Sequence, residues 1–274
     1  MKLGIFSKTY ETHSIDETFK RMSRDGLYCT NLNFANAGMP VLPEVFDASA
    51  VKHIADSAAA CGISIPSVTG TFNMIDPDKK ARMSGIAQFR NHCIMAGVLG
   101  IPVVSLCTGS KNPESKWKWH NDNLLPESYR ELMLTTEFLL EYAEEGNVVL
   151  GVEPEVSNII NTPCKALQYL KDAASDRLKI IIDGANLFTA ENAGKMRDVL
   201  DETFDLLGEH IVLAHAKDLS LKDGVSFVAA GEGELDYPYY ISLLKQAGYD
   251  GALVMHGLNE EQVARSRDFL LQLM

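Results

Sequence analysis

The stretch VVLGVEPEV, residues 148–156, decides how this chain is expected to fold. It opens with an apolar run too short for a helix and ends on Glu153, with a second carboxylate, Glu155, one proline later. A short continuous apolar run bounded by turn residues reads as a strand buried on both faces, the kind found in parallel sheets.

Runs of the same kind recur at KLGIF (2–6), CTNLNF (29–34), SIPSV (64–68), PVVSL (102–106), KIIID (179–183), IVLAHAK (211–217) and ALVMH (252–256), which with 148–153 makes eight expected strands. Helical patterns separate them: IDETFKRMSRDG, DASAVKHIADSAAACG, a long segment near 78–99, PESYRELMLTTEFLLEYAEEG, TPCKALQYLKDAAS, ENAGKMRDVLDETFDLLG, DYPYYISLLKQAG and NEEQVARSRDFLLQLM. Proline in the first turn and glycine after the last punctuate several of them. Eight strands, each followed by a helix, predict an α/β protein, a closed parallel (β/α)₈ TIM barrel formed by residues 1–274 as a single domain. An open doubly wound sheet is the alternative, but no GxGxxG follows the first strand.

Composition agrees with a sizeable core: 46% of the 274 residues are apolar and 23% charged, so burial can offset chain entropy. The net charge of −12 would repel a polyanion, which argues against nucleic acid as partner. Five scattered cysteines, at 29, 61, 93, 107 and 164, contain no CxxC pair and fit reduced thiols in a cytoplasmic protein. No run approaches the roughly 20 apolar residues of a membrane span, and the first residues lack a signal-peptide core. A membrane partner is therefore not expected, whereas a homo-oligomer is left open.

In such a barrel, chemistry gathers at the carboxyl ends of the strands, where the βα loops meet. Four polar residues end apolar runs there: Glu153, Asp183, His215 and His256. Taken singly, a strand-end carboxylate serves as often as a helix cap, and a histidine in an apolar run is more often a core residue than a ligand. Their coincidence at four consecutive strand ends carries the inference of one shared site. Two carboxylates and two imidazoles suit Mn²⁺, Zn²⁺, Co²⁺ or Mg²⁺. Glu155 is expected to be a loop carboxylate, or one that supports the ligands from behind, because Pro154 turns the chain away, and His13, His53, His92 and His210 are expected to lie on the surface.

With EPE at 153–155, IIDGANL at 181–187, AHAKD at 214–218, GEGELDYPYY at 231–240 and LLKQAGYDGAL at 243–253, the chain resembles the sugar phosphate isomerase/epimerase superfamily of xylose isomerase-like TIM barrels. The resemblance implies that Glu153, Asp183 and His215 hold a divalent metal. The fourth ligand position, where that superfamily has glutamate, is His256. In superfamily epimerases the two glutamates also carry the protons, so the resemblance casts Glu153 and His256 as the catalytic pair; imidazole can bind a metal or move a proton near neutral pH. The departure at 256 equally admits a changed reaction or a lost metal.

The reaction such a site implies is proton abstraction next to the carbonyl of a sugar or a related polyol or keto acid, through a metal-stabilised enediolate. Returning the proton to the neighbouring carbon would make an isomerase, and returning it to the opposite face an epimerase. A small-molecule carbohydrate is thus the expected substrate. Its binding is expected from the loops at 71–76, 110–122 and 231–236, through Asn73, Trp119, His120 and Glu232, together with Asn186 and Lys217. The loop holding Trp117, Trp119 and Lys116 reads equally as a mobile lid. No phosphate-binding glycine loop is evident. The alternatives are a noncatalytic sugar- or metal-binding barrel and an apurinic endonuclease-like metallohydrolase, the latter opposed by the acidic balance.

Overall fold

The structure, a computed structural model, describes residues 1–222 and 224–274. Eight parallel strands close into a barrel: β1 (Lys2–Phe6), β2 (Cys29–Leu32), β3 (Ser64–Thr69), β4 (Val103–Leu106), β5 (Val149–Val152), β6 (Leu178–Asp183), β7 (Ile211–Ala216) and β10 (Ala252–Met255). Their order around the barrel is β1-β10-β7-β6-β5-β4-β3-β2, and the ring is sealed where Gly4 pairs with Val254 and Ile5 with Met255. Outside them run α1 (Ile15–Arg24), α2 (Ala48–Cys61), α3 (Lys79–Val98), α4 (Pro126–Gly146), α5 (Pro163–Ala173), α6 (Met196–Leu207), α7 (Tyr237–Gln246) and α8 (Val263–Leu271). Each expected strand is present, so the single-barrel reading holds. No helix is long and apolar enough to cross a membrane among the described residues. The five cysteines are free.

Local chemistry sets the element ends. Ser14, Asp47, Asp78 and Thr162 each accept a hydrogen bond from a backbone N–H of the first turn they precede, and Pro126 and Pro163 open α4 and α5. Two helices begin later than their sequence patterns suggest. Asn192 accepts from the Thr189 N–H and donates to the Leu187 carbonyl, closing a loop ahead of α6. Asn259 and Gln262 form a reciprocal capping box, so a 3₁₀ turn precedes α8. The loop after β7 also holds an unexpected antiparallel ribbon, β8 (Asp218–Ser220) and β9 (Ser226–Val228).

Strand alternation splits the core into two. Ile180, Ile182, Ala214, Leu253 and Met255 face the helices, whereas Ile181, Leu213, Ala252 and Val254 meet inside the barrel. Gly151 belongs to the inner set, because a Cβ there would meet Ile181 Cγ1 at 2.6 Å.

Helices α3 and α4 touch backbone to backbone. A Cβ at Gly97 would lie 2.0 Å from the Gly146 carbonyl oxygen. Gly97→Ala is therefore expected to force the helices apart and cost about 2 kcal/mol in denaturant unfolding, despite alanine's better helix propensity. A neutral or stabilising effect would show that the two helices separate freely.

His92 is not a surface residue. It is fully buried on α3, its ring 4.8 Å from that of Phe34 and stacked on Phe89 at 6.0 Å. Neither ring nitrogen makes a hydrogen bond of good geometry among the described residues, and burial, opposed only weakly by the nearby Val41 backbone, pushes the pKa down to about 3. His13 and His53 are exposed and His210 half-buried. Below about pH 6.5 the unfolded chain takes up a proton that folded His92 refuses. Its contribution to stability is thus present above that pH and is lost as the pH falls toward 3, at up to about 1.4 kcal/mol per pH unit. His92→Leu should remove one proton's worth of slope from the acid limb of stability against pH; an unchanged limb would contradict this.

Candidate metal centre and cavity

Period two along each strand aims the candidate residues. Glu153, Asp183, His215 and His256 each lie two positions beyond an inward-facing residue, namely Gly151, Ile181, Leu213 and Val254. The inner layer is thereby continued upward in polar groups. One ligand atom from each of the four lies within 4.8 Å of the other three. The remaining strands contribute Phe6, Asn31, Thr69 and Ser105 to the cavity above, whose volume is about 680 Å³. That size suits a small molecule.

Within the cluster, His256 Nε2 lies 2.8 Å from Asp183 Oδ2 and His215 Nδ1 lies 3.3 Å from Glu153 Oε1. The two imidazole centroids are 4.5 Å apart. Asn186 bridges outward, donating to Glu153 Oε1 at 2.7 Å and accepting from Lys217 Nζ. Lys217 Nζ also stands 3.3 Å from Asp183 Oδ2 and 3.7 Å above the Phe227 ring. Burial alone would raise both carboxyl pKa values, but nearby cations and hydrogen bonds prevail. Lys217 and His256 hold Asp183 well below the usual carboxylate range, and His215 lowers Glu153. His215 is correspondingly raised by Glu153 against its burial, whereas burial and its neighbour His215 lower His256.

The donor set fits a divalent cation. His215 Nε2 is buried without a partner among the described residues, and the two carboxylates and two imidazoles match the preferences of borderline metals. These four residues are the ones that could hold it.

Other candidates lie elsewhere. Asn186 and Lys217 line the cavity, but Asn73, Trp119, His120 and Glu232 do not. Asn73 spends its amide bracing two loops, donating to the Ser110 carbonyl and accepting from the Ser110 N–H. Trp119 Nε1 meets Asn121, while His120 Nδ1 accepts from the Asp122 N–H as a cap. Trp117 and Lys116 of that loop face the cavity instead. Glu232 faces outward to Gln262 and Arg265, because its segment is wrapped around Asp218. That buried carboxylate accepts from the N–H groups of Leu219, Gly231, Gly233 and Leu235. Gly233 has no room for a side chain there: its Cβ would sit 2.3 Å from the Leu219 carbonyl oxygen. The conspicuous Gly-Glu-Gly-x-x-Asp stretch is thus held as a loop around Asp218.

Glu155 is a loop carboxylate outside the four-residue cluster, as expected, but its direction differs. Pro154 does not turn it out of the site; it is 7% exposed and lines the cavity. Its Oε2 accepts from Ser157 N at 3.0 Å and Asn158 Nδ2 at 2.9 Å, and burial pushes its pKa up to about 7. Asn31, Thr69 and Ser105 were missed as well, because an uncharged polar residue in or just past a strand run does not stand out as the four ligand candidates do.

A closed (β/α)₈ barrel with a mixed imidazole–carboxylate cluster beneath its carboxyl-end cavity defines a class. The chain belongs to the xylose isomerase-like TIM barrel family, whose model matches residues 6–273. It is 27% identical over 139 residues to an uncharacterized protein of Methanocaldococcus jannaschii, a match spanning 50% of this chain and about half of the relative, 46%. Among solved structures, a xylose isomerase domain protein from Planctomyces limnophilus is similar at a TM-score of 0.77 and 19% identity, over 99% of this chain and 95% of that one. A 3-keto-D-glucoside 4-epimerase from E. coli aligns at a TM-score of 0.73 and 18% identity, over 100% and 98% of the two chains. A D-psicose 3-epimerase from Clostridium cellulolyticum gives 0.73 and 15%, over 99% and 97%. At these identities the likeness establishes a common fold.

Proposed function

We propose that the protein is a divalent-metal-dependent isomerase or epimerase acting on a sugar or closely related polyol or keto acid. The observation that carries this reading is the convergence of Glu153, Asp183, His215 and His256 under a cavity of about 680 Å³. The sugar epimerases among the structural neighbours favour the same chemistry. A bound cation would supply Lewis-acid stabilisation of the negative charge that develops on the substrate oxygens.

The chain's own residues do the rest. Glu153, kept ionised by His215, accepts the proton from the carbon next to the carbonyl. Asn186 holds the Glu153 carboxylate in place through Oε1. His256, whose lowered pKa keeps it neutral at pH 7, exchanges the second proton, or Glu153 returns the one it took. Lys217 balances Asp183 and presents its ammonium to the cavity, where it can hydrogen-bond a substrate oxygen.

The test is metal analysis of protein purified without chelator, combined with NMR detection of solvent-deuterium incorporation across aldoses and ketoses. Bound divalent metal with exchange at a carbon next to a carbonyl is the expected result. Stoichiometric metal without exchange on any sugar would leave a binding protein; absence of both would overturn the proposal.

A further inference from the structure

The cavity is electrically divided. On the β5–β10 side stand Glu153, His215 and His256, with Glu155 beside them. The opposite wall, from β1 to β4 and the loops above, carries Lys8, Asn31, Thr69, Ser105 and Lys116 and no carboxylate among the described residues. Lys8 has no acidic partner within salt-bridge distance among the described residues, and Lys116 Nζ meets only the Thr71 carbonyl oxygen at 3.0 Å and the face of Trp117 at 5.4 Å. Lys8 is exposed and Lys116 half-buried, so neither ammonium is matched by a carboxylate and both are open to a ligand in the cavity, unlike that of Lys217, which faces Asp183 at 3.3 Å. Beneath them Asn31 is 3% exposed, and its Oδ1 has no partner among the described residues. Thr69 and Ser105, 4% and 5% exposed, add hydroxyl groups to the same wall.

A neutral sugar needs both donors and acceptors from its site, whereas ammonium groups only donate. Two unmatched cations on the wall of a cavity, in a chain of net charge −12, favour an anion at that place. We propose that the β1–β4 wall is a carboxylate subsite, and that the substrate is a sugar acid. This inference rests on the isomerase or epimerase reading of the same cavity: the carbonyl end of the substrate meets the Glu153–His256 cluster, and its carboxylate end meets Lys8 and Lys116. Carboxylate is favoured over phosphate because the donors are separate side chains. The cavity lining includes no glycine among the described residues, so it lacks the run of backbone N–H groups that usually cradles a phosphate.

The probes are matched hexoses, hexuronates and hexose 6-phosphates, which differ only at carbon six. Binding is followed by the fluorescence of Trp117 and Trp119 together in the intact protein, with and without Mn²⁺, and turnover by deuterium incorporation. Hexuronates should bind at least tenfold more tightly than the matched hexoses, and Lys8→Met and Lys116→Met should each reduce that advantage by roughly tenfold, as for a lost charge-assisted hydrogen bond. Raising the salt concentration should reduce it too. Equal or tighter binding of the neutral hexoses, preference for the 6-phosphates, or binding of none of the three would overturn the carboxylate subsite. Lysine-dependent hexuronate binding without exchange on any sugar would uphold the subsite and remove the isomerase reading. Exchange that prefers neutral sugars would do the reverse.

Discussion

Glu153→Gln is expected to lower the rate of deuterium exchange by about 10³-fold, within the range for loss of a positioned acid or base. The amide keeps the shape of the side chain but cannot accept the proton, and as a neutral ligand it weakens the hold on a cation. The hydrogen bonds now made by Asn186 Nδ2 and His215 Nδ1 to Oε1 would also lose their charge assistance. Glu155→Gln is the matched control. Its carboxylate oxygen serves the Ser157 N–H and the Asn158 amide, duties that a glutamine oxygen performs equally, and Glu155 lies outside the four-residue cluster. A loss of less than about tenfold is expected there, far below the acid–base range. Comparable losses in the two variants would transfer the proton-carrying role to Glu155, whose carboxyl, pushed up to about 7, lines the same cavity.

The barrel was legible because its signals are local. Each strand is a short apolar run, and each strand's observed range falls within about two residues of its run. What escaped depends on contacts distant in sequence or on caps inside loops. The ribbon of β8 and β9 consists of two three-residue strands, Asp218–Ser220 and Ser226–Val228, too short to show a period and held by the Asp218 turn. His92 did leave a sequence trace: it falls on the same α3 stripe as Ile86, Phe89, Cys93 and Ala96, all buried. Its polarity outweighed its position in the reading. The cluster on the β5–β10 side of the cavity was legible for the same reason that the strand residues opposite it were not. Glu153, Asp183, His215 and His256 stand out against apolar runs, whereas Asn31, Thr69 and Ser105 are ordinary uncharged residues until closure of the barrel brings them opposite the four-residue cluster. Glu155 needed Ser157 and Asn158 to fold its loop back, and nothing local to Pro154 announced that.

His256→Ala and His256→Glu together test whether imidazole is the fourth ligand. Loss of the ring should weaken Mn²⁺ or Zn²⁺ binding by tenfold or more, as roughly expected when a metal site loses support. Restoring the family's glutamate should retain metal and shift preference toward Mg²⁺, since a carboxylate replaces a nitrogen donor. The geometry adds a consequence for the metal-free protein. His256 Nε2 now sits 2.8 Å from Asp183 Oδ2 as a hydrogen-bond partner, whereas a third carboxylate would meet both Asp183 and Glu153 as a like charge. Without metal, His256→Glu should therefore be less stable than the parent by about 1–3 kcal/mol, and saturating Mg²⁺ should restore it by preferential binding to the folded state. The parent should gain less from Mg²⁺ than from Mn²⁺ or Zn²⁺, and its affinity should fall with pH, because ligand imidazoles must lose their protons and Glu153 raises that of His215. Thermal melts at several metal concentrations read each of these effects without a substrate. If His256→Ala binds metal as tightly as the parent at every pH, then His256 is no ligand, and Glu153, Asp183 and His215 hold the cation by themselves.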